Sequence, residues 1–312
     1  MIRRAAQIIA VLIVAALFAA TQAMAQTCTA SVSNLNFGQV SVRAGAVNST
    51  SGSVTVTCSG SVLSLVGVCI RFGPGGGGAG GGQSPRYMRR SDAAALSYEL
   101  RAGGNGAPFG TLTDLYMTVP MVLGAGSATV PIFGDITSPT VGIGTGQYQS
   151  RFSGTADIRL SYGVVSCALL GTTVGVPDFT VSAEVVASCE VDATPMDFGT
   201  IPGQVTQPAL AQATINVRCT QNSAYQVYLD NGSGPGATGP ADRRLRNGVS
   251  QLSYGLFLDP GRSQVWGGTP GSGVAGTGAG TNQAIPVYGA IHAGQTAFIG
   301  IYTDSVIVTI AY

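Results

Sequence analysis

The spacing of six cysteines constrains this chain more than any other feature. Cys28 and Cys58 are 30 residues apart, as are Cys189 and Cys219, and in each case a Phe-Gly pair, Phe37-Gly38 or Phe198-Gly199, follows the first cysteine by nine residues. Three landmarks in register twice over define a tandem repeat of one domain type. The remainder agrees. Arg86-Tyr87-Met88-Arg89 answers Arg243-Arg244-Leu245-Arg246, Leu96-Ser97-Tyr98 answers Leu252-Ser253-Tyr254, Phe109-Gly110 answers Trp266-Gly267, and Val130 to Gly134 answers Ile285 to Gly289. With Cys28–Cys58 and Cys189–Cys219 assigned as disulfides, Cys69 and Cys167 are left as a third pair within the first repeat. Each bond would contribute about 2–4 kcal/mol. With no CxxC and a single histidine, no metal site is expected.

An even cysteine count fits a disulfide framework in an oxidising compartment, and residues 1–25 read as the route to one. Arg3 and Arg4 precede an uncharged apolar run from Ala5 to Ala20, and Ala23-Met24-Ala25 is a small-x-small cleavage pattern, the layout of a secretory signal. The run is shorter than the roughly 20 residues of a spanning helix. Only 9% of the 312 residues are charged, every basic residue is arginine, and the formal charge is +1. An ordinary soluble domain has roughly 25% charged residues. A nearly neutral exported chain lacks the basic field that holds nucleic acid.

After residue 25 the apolar pattern is that of strands. Ser53–Cys58, Leu96–Leu100, Ala156–Tyr162, Thr214–Cys219, Tyr225–Leu229, Leu252–Leu258 and Val306–Tyr312 are short, rich in Val, Ile, Thr and Tyr, and mostly alternate apolar with polar. Gly, Pro, Ser and Asn punctuate them, so the expected architecture is all-β, as two tandem sandwiches. The glycine run Gly73–Gly82 reads as a flexible loop.

The ordered landmarks of the second half are Cys-x8-Phe-Gly, Cys219-Thr220, Tyr225 to Asp230 with Gly232, the Arg-Leu pair, Leu252-Ser-Tyr254, Trp266-Gly267, Val287-Tyr-Gly289, Gly294-Gln295 and Gly300 to Tyr312. Together they resemble the spore coat protein U domain, a family that includes subunits of archaic chaperone-usher pili. The first half matches over Cys28–Cys58, the arginine cluster and the Leu-Ser-Tyr strand, and departs in its extra cysteine pair, glycine run and ending. The resemblance implies immunoglobulin-like sandwiches. The second is expected to lack its final strand and to expose a groove and an unpaired edge, which is an aggregation hazard. A periplasmic chaperone, an outer-membrane usher and a neighbouring subunit that donates a strand are then the expected partners, and Val306, Val308, Ile310 and Tyr312 the expected groove residues.

A polymerising subunit needs a donor arm before its first cysteine. Gln26 and Thr27 are too few for a strand of five or more residues at about 3.3 Å each, so the expected place is the pilus tip, exported through the periplasm to the cell surface. The expected organisation is a signal at 1–25, an adhesin-like sandwich at 26–172, a linker and first strand of the second domain at 173–188, and the pilin-like domain at 189–312. Val164–Leu170 is expected to close the first domain and Phe179–Val185 to open the second. The alternative is that Phe179–Val185 complements the first domain as a donor strand would.

An adhesive surface is sought where the repeats differ. Leu115, Tyr116, Val119, Pro120, Met121, Val122 and Leu123 stand where the second repeat has the Gly- and Ser-rich stretch Thr269–Thr281, and an exposed apolar patch there would bind an abiotic or host surface and promote biofilm. The plainer reading is a further core strand. Pro139–Ile143 is a weaker candidate. Enzyme readings fare poorly. His292 lacks a Gly-x-Ser-x-Gly partner, Gly271–Gly276 fits a dinucleotide fingerprint only by letter, and Glu99 with Asp114 or Asp230 with Asp242 are scattered acids rather than a glycosidase pair. The arginine clusters read as solvated turns or strand ends. No catalytic residue and no cofactor is expected. A structural coat or cell-surface protein is the competing class.

Overall fold

The computed structural model describes residues 26–41, 45–60, 65–81, 84–103, 106–110, 113–137, 142–163, 166–167 and 171–312. It is almost entirely strand. In the first repeat β1 (Thr27–Val32), β2 (Leu35–Val40), β3 (Ser49–Ser59), β4 (Leu65–Phe72), β5 (Arg86–Arg89), β6 (Ala95–Ala102), β7 (Asp114–Pro120), β8 (Ala125–Ile136) and β9 (Gly146–Phe152) lead to one helical turn, Gly154–Asp157. After it come β10 (Ile158–Tyr162), β11 (Thr172–Gly175) and β12 (Phe179–Val185). Alternation sets the faces: in β9 the side chains of Tyr148, Ser150 and Phe152 turn inward and their neighbours outward.

Eight of these strands form one sheet in the order β1-β3-β8-β6-β5-β9-β12-β2, facing a four-stranded sheet β11-β10-β4-β7. The Thr50 hydroxyl of β3 donates to the Asn36 carbonyl of β2 at 2.8 Å, so the ends of the large sheet approach one another. Strand β12 completes that ring, running antiparallel to β9 and parallel to β2. This corrects the expected boundary: Phe179–Val185 pairs inside the first domain and is not the first strand of the second. Its inward Phe179, Val181, Ala183 and Val185 are 0–1% exposed and belong to the first core. An alternating apolar strand is most stable where one face is buried, and the first core offers that face. Of the segment Val164–Leu170, only Ser166 and Cys167 lie within the described residues.

The second repeat contains β13 (Cys189–Ala193), β14 (Gln204–Val205), β15 (Ala209–Cys219), β16 (Ala224–Leu229), β17 (Arg243–Asn247), β18 (Ser250–Phe257), β19 (Val274–Thr277), β20 (Gln283–Ile291), β21 (Gln295–Thr296) and β22 (Val308–Ala311). Its main sheet β13-β15-β20-β18-β17 repeats β1-β3-β8-β6-β5, and β19-β16-β22 repeats β7-β4-β10. Disulfides join Cys28 to Cys58, Cys69 to Cys167 and Cys189 to Cys219.

The first half of the glycine run is packed, contrary to the flexible loop expected; Gly81 is exposed and Gly82 lies outside the described residues. Gly73, Gly75 and Gly77 are buried, Gly76 N donates to the Arg151 carbonyl at 2.7 Å, and a Cβ on Gly77 would lie 1.7 Å from the Tyr87 carbonyl oxygen. Glycine is needed because backbone meets backbone there.

Candidate functional site

The two repeats correspond residue by residue around one arginine each. Arg86 donates from Nε to the Gly73 carbonyl, from Nη2 to Phe72 and from Nη1 to Phe109, at 2.6–2.8 Å. Arg243 donates to Asp230, Leu229 and Trp266 in the same pattern, and also to Pro240. Both are fully buried, 1% and 0% exposed, which corrects the solvated-turn reading for these two arginines. A planar five-donor fork can satisfy several strand-end carbonyls that would otherwise be buried unpaired. Burial disfavours the charge and pushes the Arg86 guanidinium down to about 10, and it lowers that of Arg243.

From this anchor Phe72 corresponds to Leu229, Tyr98 to Tyr254, and the bridge Arg89–Gln149 to Arg246–Thr303. Residues 300–306 therefore take the place of β9, and Met196–Ile201, around the Phe-Gly landmark, the place of β2. In the first repeat β12 lies between those two elements. In the second repeat no described strand does. A groove opens there instead, as two adjoining cavities of about 230 and about 620 Å³ that share Met196, Phe198, Leu245 and Asp304 in their linings. Met196, Phe198 and Ile201 form one wall, Tyr302, Asp304 and Val306 the other, and Leu245, Tyr254 and Leu256 the floor. Lips of Phe298, Ile299 and Ile301 are 69–102% exposed.

Among the groove residues expected from sequence, Val306 and Val308 line it. Ile310 packs against the second core from β22, and Tyr312 is exposed outside the lining. Those two are corrected, because β22 pairs with β16 along its length and only its first residue, Val308, reaches the groove. The opposite wall, Met196 to Ile201, was missed although its Phe-Gly landmark had been noted. The signal that could have found it is the matching Leu35-x-Phe-x-x-Val40 of β2, whose ends are buried.

Hydrogen bonds fix one wall of the groove at Asp304. Asp304 accepts from Tyr254 Oη at 2.7 Å, Ser233 N at 2.8 Å, Ser233 Oγ at 2.9 Å and Gly234 N at 3.0 Å. Burial and the adjacent carboxylate raise the Tyr254 hydroxyl above its ordinary range, so it remains a donor. Gly232 has φ +80°, and a Cβ there would lie 2.1 Å from Asp304 Oδ2.

The expected adhesive stretch divides by alternation. Val119 is fully buried and Met121 is 8% exposed, both in the first core, and Leu115 packs on it half-buried. As surface-binding residues Val119, Met121 and Leu115 are corrected, since the inward face of β7, and Met121 just after it, belong to the core. Tyr116, Val122 and Leu123 are 45%, 73% and 103% exposed, and Pro120 is exposed too. Val122 and Ala125 exchange backbone hydrogen bonds of 2.8 and 3.1 Å across Leu123-Gly124, a two-residue hairpin with φ +51° and +81°. A leucine is costly there, because turns of this kind favour Asn or Gly. Of Pro139–Ile143, the first three residues lie outside the described residues, and Ile143 is buried.

The enzyme candidates do not converge. His292 Nε2 meets the Ala241 carbonyl at 2.9 Å. Asp114 forms a two-bonded ion pair with Arg71, Glu99 accepts from Ser84, and Asp230 and Asp242 accept from turn amides or hydroxyls. Gly271 closes a turn ahead of β19, which ends this stretch at Thr277.

The family model described as Spore Coat Protein U domain matches residues 14–155 and 176–309. Protein U of Myxococcus xanthus is 35% identical over 127 residues, spanning 38% of this chain and 71% of that protein. Among solved structures, the fold is similar to that of a chain from the CsuC–CsuE chaperone–tip adhesion subunit pre-assembly complex of archaic chaperone-usher Csu pili of Acinetobacter baumannii. That match has TM-score 0.54 and 16% identity and covers 91% of this chain and 100% of the other.

Proposed function

The chain belongs to the spore coat protein U domain family, and from that premise we propose that it is the tip adhesin of an archaic chaperone-usher pilus. One observation carries the reading: the first sandwich is completed by its own β12, while the equivalent place in the second is an open apolar groove. A domain that completes itself needs no partner strand, and one that does not must be covered by another chain. The second domain thus accepts a donor strand, first from a periplasmic chaperone and then, beyond the outer-membrane usher, from the neighbouring subunit. The first domain, stapled by two disulfides, presents the Val122-Leu123 hairpin to abiotic or host surfaces and so promotes biofilm. The exported chain ends at the cell surface, at the pilus tip. The division into a signal at 1–25, an adhesive domain that includes β12, and a pilin-like domain from Cys189 follows from the same logic. Binding, not catalysis, is the proposed activity.

The test is export of the full chain with and without the chaperone of its pilus system. Soluble protein recovered only as a one-to-one complex, contacting the chaperone through residues 196–201 and 300–306, is expected. A stable free monomer would overturn the reading. The family's name favours a second one, a structural coat or cell-surface component, which requires insoluble assembly with no chaperone present and no surface binding by the first domain.

A further inference from the structure

We infer that the chain's own β12 is a template for the strand that fills the second-domain groove, specifying its direction, register and side-chain pattern, and that a peptide of this sequence is itself a ligand for the groove. The inference rests on the reading of the groove as a strand acceptor.

In the first domain Phe179 stands opposite Phe152, Val181 opposite Ser150, Ala183 opposite Tyr148 and Val185 opposite Gly146, while Val181 and Val185 stand opposite Leu35 and Val40 on the other side. The correspondences around the buried arginines carry each position across. A strand in the groove would run antiparallel to residues 300–306 and parallel to 196–201. Its first inward residue would face Val306, the second Asp304 and Met196, the third Tyr302, and the fourth Gly300 and Ile201.

The sizes at these positions give the pattern. In the first domain Phe179 stacks on Phe152 and meets Phe72 edge-on at 5.9 Å. The second domain has Val306 and Leu229 at those places, two smaller side chains, and the 230 Å³ stretch of the groove lies beside them. The first inward residue should therefore be bulky and aromatic. At the third position Tyr302 retains the ring of Tyr148, so a small residue such as alanine fits. Asp304 does not require a polar partner from the incoming strand, since Tyr254, Ser233 and Gly234 already donate to it. Outward positions, filled by Thr180, Ser182 and Glu184 in β12, are polar and set no selectivity.

The test refolds the full chain with a synthetic peptide of residues 178–186, and separately with a peptide of the same composition whose apolar and polar positions are exchanged, and with an alternating Val-Thr nonamer. One bound peptide per chain by native mass spectrometry is expected for the first, none for the exchanged one, and binding weaker by about tenfold or more when Phe179→Ala is made in the peptide. Register is read by cross-linking. A Thr303→Cys chain should form a mixed disulfide with a Ser182→Cys peptide, and much less with Thr180→Cys or Glu184→Cys peptides. If the Val-Thr nonamer binds and the β12 peptide does not, or if the cross-link forms at a shifted position, the template is wrong and the groove reading stands. If no peptide binds, both fall.

Discussion

Phe179 stacks on Phe152 with ring centroids 4.4 Å apart and planes 14° from parallel, so the last strand of the first domain is locked to its antiparallel neighbour by an aromatic pair in the core. Phe179 is 1% exposed and Phe152 fully buried. Replacing a buried phenylalanine by alanine costs about 3–5 kcal/mol. Phe179→Ala is expected to lower the first domain's stability by that amount and to make β9 and β2 exchange amide protons early, with the amides of β15 and β20 unaffected. Equal loss of protection in both domains would contradict the assignment of β12.

Arg243 presents a second sharp test. Removing its guanidinium leaves the carbonyls of Leu229, Asp230, Pro240 and Trp266 without this donor in a dry interior. Each buried acceptor left unpaired costs about 1–3 kcal/mol. Arg243→Lys should therefore lose at least about 3 kcal/mol in chemical denaturation, since a single ammonium cannot reach four oxygens. Arg246→Lys, at the more exposed end of the same strand, should change little.

The hairpin predictions separate adhesion from stability. Leu123→Asn places a residue suited to positive φ at a fully exposed tip, so stability should hold or rise slightly while attachment to hydrophobic surfaces falls several-fold. Val119→Ser and Met121→Ser should instead cost about 2–4 kcal/mol each by opening the core. Undiminished attachment by the Leu123→Asn, Val122→Ser double variant, measured on pili of normal length, would remove the hairpin from the binding surface.

Asp92 gives a pH-dependent signal. Its hydrogen bond to Arg90, at the hairpin after β5, holds the carboxyl down at about 2, against an ordinary 3.8. Because the folded value lies below the unfolded one, the pair's contribution is present above about pH 4 and is lost as pH falls through 2. Carbon-detected NMR titration should find this depressed value in the intact chain and a return towards 3.8 in Arg90→Gln.

Much of the fold was legible because its markers are local or repeated. Cysteine spacing located both repeats, and period-two runs such as Thr214–Cys219 located strands whose inward residues, Ile215, Val217 and Cys219, are buried. Val306 and Val308, from the apolar ending Val306–Tyr312, line the groove. Strand partnership was not legible. Phe179–Val185 alternates cleanly whichever sheet it joins, and the choice is made by non-local pairing with β9 and β2, more than 25 and 130 residues upstream. The Arg86 and Arg243 clusters misled for a related reason: arginine is a surface residue by composition, and only the convergence of strand-end carbonyls in three dimensions explains its burial. In the apolar stretch, Val119 and Met121 are expected on the surface with their neighbours, whereas alternation along the chain buries Met117, Val119 and Met121 and the turn at Leu123-Gly124 decides which part protrudes.

Strand β12 is tied to the sheet it completes by the few residues after β11, so its docking is a unimolecular event. A tethered segment meets its site at an effective concentration on the order of millimolar, whatever the amount of protein outside the cell. On the proposed reading, filling the second-domain groove is instead bimolecular and falls off with dilution. The two repeats, built on one plan, would then mature on different clocks: the first folds at a rate independent of expression level, and the proposed donor strand makes the second wait on an encounter.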